Sequence, residues 1–511
     1  MMALNKGPWI IYILEPRLDY ALLISTYTDQ HQHRGWPRQR LLHECLRAAI
    51  RNGTLAAGTR LVATRALAVQ MGMARNTVLY AYEQLASEGF VTTDRRGTIV
   101  VAMAPVHAVA EHPPQPAHAG LSRRMRDLRT PRDAAGAAGA FVTGLPALDH
   151  FPLTLWRRML ERAWRALSAE QLNYADAAGE PALREAIADH LRASRGVVCD
   201  ASQVFITDGT QSSLDLCCRA YADDGDTIWL ENPGYGGALA AARGAGLTVA
   251  GIDVDDDGIA LGADDWLLRP PRLIYTTPSH QYPTGSVLSL QRRLALIEAA
   301  RTAGALIIED DYDSEFRHDG APLSAMQGLT PDAPVLYLGT FSKTMFPSLR
   351  LAFMVVPKTL AAPLAALRAQ SSSSGRVAEQ LALAEFLRGG QFALHLRRMR
   401  RLYRQRRDAL VQALQRHLGG IATVHGASAG MHLALRLHDE TLSDADISAQ
   451  ARERGIVAHA LSEQRTQGAC GWNGLMLGYA QIPAEDMDHL VRALAALPGL
   501  RDAIAGPAST I

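Results

Sequence analysis

The sequence predicts an α/β protein, with a large domain on a mostly parallel sheet preceded by a small winged helix-turn-helix. Three observations carry that expectation. Residues 37–101 hold three short amphipathic helical stretches, then two β-rich runs about a polar turn. Residues 102–140 shift to Pro, Ala, Gly and His, as in "PVHAVAEHPPQPAHAG", and read as a linker that includes one short basic stretch, "SRRMRDLR". From residue 141 to the end, β-rich runs alternate with helical segments. A chain of 511 residues also exceeds what one hydrophobic core organises.

Composition narrows the function classes. The chain is 48% apolar and 20% charged, ordinary for a globular protein, and its net charge is +1. Any attraction to nucleic acid must therefore come from a local patch. The five cysteines (Cys45, Cys199, Cys217, Cys218, Cys470) are scattered, odd in number and without CxxC or Cys/His spacing. That argues against a disulfide framework or a metal site and fits a reducing cytoplasm. Near the N-terminus, Trp9–Leu14 and Tyr20–Ser25 are apolar but are broken by Glu15, Pro16, Arg17 and Asp19. Neither run is long enough to span a bilayer, so no membrane partner is expected. Residues 1–33 read as a poorly ordered extension.

The DNA-reading unit is expected over residues 34–101. "RQRLLHECLRAAIRNGTL" places Leu42, Leu46, Ala49 and Ile50 at helical spacing, with Gly53 as a stop. "TRALAVQMG" is a short helix with Thr64 in the capping position and Gly72 past its end. "ARNTVLYAYEQLASEG" follows, with Val78, Tyr82 and Leu85 on one face and Gly89 ending it. "FVTTDRRGTIVV" completes the unit as a β-hairpin wing. Between Arg34 and Gly97 there are ten arginines, no lysine and four acids (Glu44, Glu83, Glu88, Asp94), an excess of six positive charges. Such a patch neutralises phosphates and makes binding salt-dependent. Arg75, Asn76 and Thr77 open the second helix of the helix-turn-helix. From there Arg suits guanine and Asn suits adenine in the major groove of double-stranded DNA. Thr64 and Arg65 open the preceding helix and suit phosphate, and Arg95 and Arg96 tip the wing.

In the large domain, "VFIT", "TIWLE", "LTVAGIDV", "RLIYTT", "ALIIED", "VLYLGTF" and "AFMVV" are the expected strands. Arg- and Leu-rich helices beyond about residue 358 suggest a smaller C-terminal subdomain. Chemistry gathers at the strand ends, where open α/β sheets bind ligands. "ITDGTQSSLDL" runs from a strand through Gly209, Thr210 and Gln211 into a helix, an N-terminus suited to phosphate. "ENPGYGGA" offers Tyr235 as an aromatic cover. "LIIEDDYDSEFR" ends a buried strand with Asp310 and, two residues on, Tyr312. "GTFSKTMFPSLR" supplies Thr340, Ser342, Lys343 and Arg350. Taken singly, each has a plainer explanation as a turn, a loop tyrosine, a solvated strand end or a surface lysine. Together and in this order they meet the needs of a phosphorylated aldehyde cofactor: an amine, a carboxylate, an aromatic cover and a phosphate seat.

The stretch from "AIRNGTLAAGTRLVATRALAVQ" to "MGMARNTVLYAYEQLASEGFV" resembles the GntR-type winged helix-turn-helix, except that Ala74 stands where the family usually has Ser. "YADAAGEPALREAIADHL", "TPSHQYPTG", "IEDDYDSEFR" and "HLRRMRRLYRQRRDAL" resemble the fold-type I aminotransferases, and more closely the MocR/GabR-type regulators that join the two units. The resemblance covers about residues 37–499. It implies pyridoxal 5′-phosphate held as a Schiff base by Lys343. Asp310 would pair with the ring nitrogen, Tyr312 would donate to the ring oxygen, and Tyr235 would stack on the ring. Gly209, Thr210, Gln211, Thr340, Ser342 and Arg350 would hold the phosphate side. Tyr174 matches a tyrosine that reaches the partner subunit's phosphate, which implies a homodimer. Two positions depart from catalytic aminotransferases: Tyr282 replaces an Asn beside the ring oxygen, and Met476 stands where an arginine clamps the substrate carboxylate. Arg465 is the candidate substitute.

Three functions compete: a cofactor-dependent transcriptional regulator that senses an amine, an amino acid or the cofactor itself with little or no turnover; a working aminotransferase with a DNA-binding appendage; and a repressor that uses the large domain only as a dimerisation scaffold. The Met476 departure favours the first over the second, and the full set of cofactor contacts disfavours the third.

Overall fold

A computed structural model describes residues 19–31, 35–102, 122, 124, 139–320, 323–371, 375–468 and 470–505. The chain divides into two compact units, residues 1–120 and 121–511. Most of the expected linker, including most of "SRRMRDLR", lies outside the described residues.

The N-terminal unit holds α1 (Tyr20–His31), α2 (Arg38–Arg51), α3 (Thr64–Gln70), α4 (Arg75–Ser87), β1 (Val91–Asp94) and β2 (Gly97–Val100). The apolar faces of α2 and α4 meet over Leu42, Leu46, Val78 and Leu85, all fully buried. β1 and β2 form the antiparallel wing, with Asp94 paired to Gly97 across the tip. Two expectations need correction. Residues 20–31 of the extension are helical and belong to this core, whereas residues 1–18 lie outside the described residues. Tyr20 is 3% exposed, and Leu23 and Ile24 pack beside it. Tyr20, Leu23, Ile24 and Tyr27 recur at helical spacing, a pattern obscured when the segment is weighed only for membrane-spanning length. Thr64 does not cap α3. Ala63 takes the cap position, Thr64 is the first helical residue, and no side chain caps α3 or α4.

Tyr20 also stands within hydrogen-bond reach of the Val62 amide, 3.5 Å from its hydroxyl, while Tyr82 donates to the Val62 carbonyl at 2.7 Å. Burial of a side chain of this size stabilises by about 2 kcal/mol. Tyr20→Ala should lower the unfolding free energy of the N-terminal unit by about that amount in denaturant titration.

The larger unit is built on an eight-stranded sheet of order β3-β10-β9-β8-β7-β4-β5-β6. Its strands are β3 (Val204–Thr207), β4 (Thr227–Asn232), β5 (Thr248–Asp255), β6 (Gly258–Ile259), β7 (Leu273–Thr276), β8 (Leu306–Asp311), β9 (Val335–Thr340) and β10 (Ala352–Val355). β5, β4, β7, β8 and β9 pair in parallel, and β10 and β6 run against their neighbours. All seven β-runs read from the sequence are strands here. β3, β4, β7, β8 and β9 are almost wholly buried, which explains their continuous apolar character. A second, antiparallel sheet of order β11-β12-β14-β13 is formed by β11 (Ala422–His425), β12 (His432–Leu437), β13 (His459–Ala460) and β14 (Gly474–Gly478). Before it come three helices, including one of 28 residues from Gln391 to Leu418.

No helix among the described residues is long and apolar enough to cross a membrane.

Candidate functional site

The parallel strands deliver their C-terminal ends to one edge of the sheet, and the sequence-predicted cofactor residues sit at those ends or on the loops that follow, except Tyr174, which lies before β3. Gly209 follows β3 and caps α5 (Thr210–Tyr221), with φ of 109°. A Cβ there would lie 2.9 Å from the Arg350 guanidinium, so the absent side chain is what lets Arg350 lie over the helix N-terminus. Arg350 itself has a left-handed φ of 52°. Its carbonyl accepts from Arg376 at 2.6 Å, and Arg376 also pairs with Asp208 at 2.8 Å. Open helix amides and an arginine together make an anion seat. Gln211 donates to the Gly237 carbonyl at 3.0 Å, which ties α5 to the loop carrying Tyr235. Thr340 ends β9, and its hydroxyl accepts from the Ser342 amide at 3.2 Å.

Asp310 is fully enclosed near the end of β8. One of its oxygens accepts from Tyr275 at 2.8 Å, and the other, Oδ1, has no hydrogen-bond partner among the described residues. Burial pushes its carboxyl up to about 7, with Lys343 and the Tyr275 hydrogen bond opposing. A cation facing Oδ1 would restore the ionised form. The Lys343 amine donates to the Gly144 carbonyl at 2.8 Å. Burial lowers its affinity for a proton, while Asp313 and Asp310 pull the other way. A less basic amine is a better nucleophile near neutral pH. Tyr312 stays a phenol, raised well above its ordinary value by burial and then by Asp313, and its hydroxyl donates to the His280 carbonyl at 3.0 Å. Tyr235 and Tyr282 meet edge to face with ring centres 5.6 Å apart, and Tyr282 meets Tyr312 at 6.3 Å.

These groups fit pyridoxal 5′-phosphate. A half-buried amine, a carboxylate oxygen without a partner among the described residues, aromatic rings and an anion seat open from one sheet edge. Gly209→Ala should therefore weaken cofactor retention about tenfold in equilibrium dialysis, roughly the effect of losing one charge-assisted contact.

Asp311, the neighbour of Asp310, serves a different purpose. It accepts from Arg195 Nε at 2.7 Å and Tyr337 Oη at 2.5 Å, and this buried pair locks β8 to the helix before β3. Glu309 is likewise buried, accepts from the Met326 amide at 2.9 Å, and is pushed up to about 7 by burial. Without cofactor, the folded protein thus holds protons on Asp310 and Glu309 more tightly than the unfolded chain does. That stabilisation is complete below the ordinary carboxylate range and is lost as pH rises through 7. Melting temperature should fall between about pH 5 and about pH 8, and the fall should shrink in Asp310→Asn.

Tyr282 and Met476 are brought together. Met476, on β14, is buried with Ala434, Leu461 and Trp472, and Tyr282 packs against this cluster. Both departures from the aminotransferase pattern thus belong to one apolar wall. Arg465 is exposed, on a loop held to β4 by the Thr466 amide, which donates to Asn232 at 3.0 Å. Tyr174 is 91% exposed. The sequence reading missed Gly144, His280, Asp313 and His432. His280 and Asp313 stand inside motifs that were singled out, but only the tertiary fold reveals their burial.

In the N-terminal unit, Arg75 and Asn76 are exposed at the start of α4, and Thr77 is half-buried behind them. Arg65, Arg95 and Arg96 are exposed as well. Among the described residues, none of these four arginines forms a salt bridge, whereas Arg47 is neutralised by Glu44 and Glu88. The wing is braced by Asp94, which accepts from the Arg96 amide at 2.7 Å, and by Arg60, which donates to the Arg96 carbonyl.

The two units define a class of protein, a DNA-binding regulator whose second domain is an aminotransferase-like domain for pyridoxal 5′-phosphate. Residues 39–101 match the bacterial regulatory proteins of the gntR family, and residues 144–494 match aminotransferase class I and II. The chain is 39% identical to the probable rhizopine catabolism regulatory protein MocR of Rhizobium meliloti, over 90% of this chain and 93% of that one. It is 31% identical to the pyridoxine biosynthesis transcriptional regulator PdxR of Corynebacterium glutamicum, over 91% and 96%. Among solved structures, α-aminoadipate aminotransferase of Thermus thermophilus, in complex with N-(5′-phosphopyridoxyl)-L-leucine, is 28% identical with a TM-score of 0.65. The match covers 75% of this chain and 96% of that one. Kynurenine aminotransferase of Pyrococcus horikoshii, 23% identical with a TM-score of 0.68 over 76% and 98%, shares the fold. The chain belongs to the MocR-type regulators, gntR-family transcriptional regulators with an aminotransferase class I and II domain, and its cofactor is pyridoxal 5′-phosphate.

Proposed function

We propose that this regulator senses an amine, an amino acid or the cofactor itself at Lys343 and answers by changing its affinity for operator DNA. The observation that carries the proposal is the half-buried Lys343 amine within electrostatic reach of Asp310, whose Oδ1 has no hydrogen-bond partner among the described residues, on a chain whose helix-turn-helix presents arginines without salt bridges among the described residues. When bound, pyridoxal 5′-phosphate supplies an aldehyde that reacts reversibly with amines. Lys343 is the attachment point. Asp310 Oδ1 holds the ring nitrogen in its protonated form, and Tyr312 donates to the ring oxygen. Tyr235 covers the ring. The N-terminus of α5 at Gly209, Thr210 and Gln211, together with Thr340, Ser342 and Arg350, takes the phosphate. Tyr174 has a task only in a homodimer, where it completes the partner's phosphate seat, and its exposure supports that. Arg75, Asn76 and Thr77 read bases in the major groove, while Thr64, Arg65, Arg95 and Arg96 hold phosphate.

Recognition without turnover is favoured by the wall of Tyr282 and Met476. An amino-acid carboxylate arriving there meets apolar side chains instead of a bidentate arginine. Arg465, on its exposed loop, is the remaining candidate for an acidic effector. The relatives' names fit a spread of effectors: one regulates rhizopine catabolism and another pyridoxine biosynthesis. Membership among bacterial regulators and the lack of a membrane-crossing helix among the described residues support a cytoplasmic place. A multiple-turnover assay for keto-acid release from amino-acid panels tests the proposal. Release beyond one equivalent per subunit would favour the aminotransferase alternative.

A further inference from the structure

A second set of buried groups lies behind the Tyr312 hydroxyl, and neither the cofactor seat nor the DNA-reading surface uses it. His280 Nδ1 stands 3.1 Å from an Asp313 carboxylate oxygen and 3.2 Å from Tyr312 Oη. On the far side of the ring, Nε2 stands 3.2 Å from the Gly426 carbonyl. The His280 side chain is 0% exposed and that of Asp313 2%.

Three glycines make the room. A Cβ on Gly430 would come within 2.4 Å of His280 Nδ1 and 2.5 Å of the Asp313 carboxylate. A Cβ on Gly426 would lie 2.6 Å from Gly285 Cα, and one on Gly285 would lie 2.3 Å from Gly426 Cα and 3.0 Å from His280 Nε2. All three have left-handed φ, between 74° and 79°. The fold thus excludes side chains at three positions around a single histidine. Gly426 follows β11 and Gly430 precedes β12, whereas His280, Tyr312 and Asp313 lie on loops of the parallel sheet. The histidine is where the two sheets of the larger unit are joined beside the cofactor seat.

His432 brings a third ligating atom within 4.8 Å of those of His280 and Asp313, the spacing of a metal site. His280 has both nitrogens engaged, however, and of the two histidines only His432 Nε2 lacks a partner among the described residues. One free lone pair falls short of the three or four protein ligands a bound transition metal needs.

We infer that His280 is a positioning residue that couples the Tyr312 hydroxyl to the seating of the antiparallel sheet. Its Nδ1 side is set by Asp313 and Tyr312, and its Nε2 side by the β11–β12 turn at Gly426. In this enclosed place neither contact breaks without leaving a buried polar atom unpaired, so a change at Tyr312 is felt at the turn. The inference rests on the proposed cofactor site, because Tyr312 changes partner only when a cofactor oxygen arrives.

The test is hydrogen–deuterium exchange of residues 422–437 in the full-length protein, with and without pyridoxal 5′-phosphate, alongside the visible spectrum. Loading should slow exchange in that segment about tenfold in the wild type. The amide of His280→Asn reaches the Nδ1 position but not the Nε2 position. That variant should keep the wild-type visible band and lose the protection. His280→Gln reaches Gly426 but not Asp313, and should shift the band and keep the protection. The inference is overturned if loading leaves wild-type exchange unchanged in this segment, or if His280→Asn is protected as fully as the wild type. Should His280→Asn not fold, a wild-type band position in His280→Gln overturns it as well. A wild type that shows no visible band removes the cofactor reading itself, an outcome the spectrum reports separately.

Discussion

Lys343→Ala, incubated with pyridoxal 5′-phosphate and dialysed, should be colourless, whereas the wild type keeps a visible absorbance band. Among the described residues singled out for the site, the amine is the covalent handle for an aldehyde. It is desolvated, which raises the fraction of free amine, and it is held at the Gly144 carbonyl with Asp310 and Asp313 close enough to oppose that shift. The proposed phosphate seat at Gly209 and Arg350 is untouched by the substitution, so weak non-covalent binding should survive while the colour is lost. Retention after dialysis should drop at least about 100-fold, the effect of replacing a covalent bond by charge-assisted hydrogen bonds. Borohydride reduction followed by mass spectrometry should place the mass of the cofactor on residue 343 of the wild type. A label elsewhere would remove Lys343 from its role.

Arg75→Ala should weaken binding to an operator fragment about 100-fold, near the upper end of what one bidentate base contact contributes, and should leave the visible band intact. Arg75 is exposed at the uncapped start of α4 and has no salt-bridge partner among the described residues. Its charge is therefore available to DNA. Binding to unrelated DNA should fall far less, because Arg65, Arg95 and Arg96 still neutralise phosphates. The wild type should lose affinity steeply as salt rises, and the slope of that loss should flatten by about one unit in Arg95→Ala. An Arg75→Ala protein that shifts the operator fragment like the wild type would mean that α4 is not the reading helix.

Much of this molecule was legible from period and punctuation. Seven of the eight strands of the large sheet announced themselves as short β-rich runs, and all of these but β5 are continuously apolar because strands buried on both faces carry no polar alternation. The proposed cofactor residues could be singled out because each follows a strand that ends on the same sheet edge, where Gly209, Tyr235, Tyr312 and Lys343 all lie. What was missed depended on contacts distant in sequence. Asp311 looked like a solvated strand end, yet Arg195, 116 positions away, buries it. Gly144 carries no local signal, but its carbonyl holds Lys343 from 199 positions away. His280 sat inside a recognised motif without a role, because the glycines that enclose it come mostly from the second sheet. That sheet was itself hidden by strands as short as the two residues of β13. Residues 20–31 were misjudged for a local reason: their helical apolar period was present but was not weighed.

The central claim is that chemistry at Lys343 reaches the DNA-binding function. It is tested most directly by operator titrations of wild type and Lys343→Ala, each with and without pyridoxal 5′-phosphate, on fragments from upstream of the regulator's own gene. The cofactor should change wild-type affinity at least about fivefold, the lower range of an allosteric coupling, and should leave Lys343→Ala unchanged. Equal responses in the two proteins, or none in the wild type with the cofactor and with panels of amines, would contradict it.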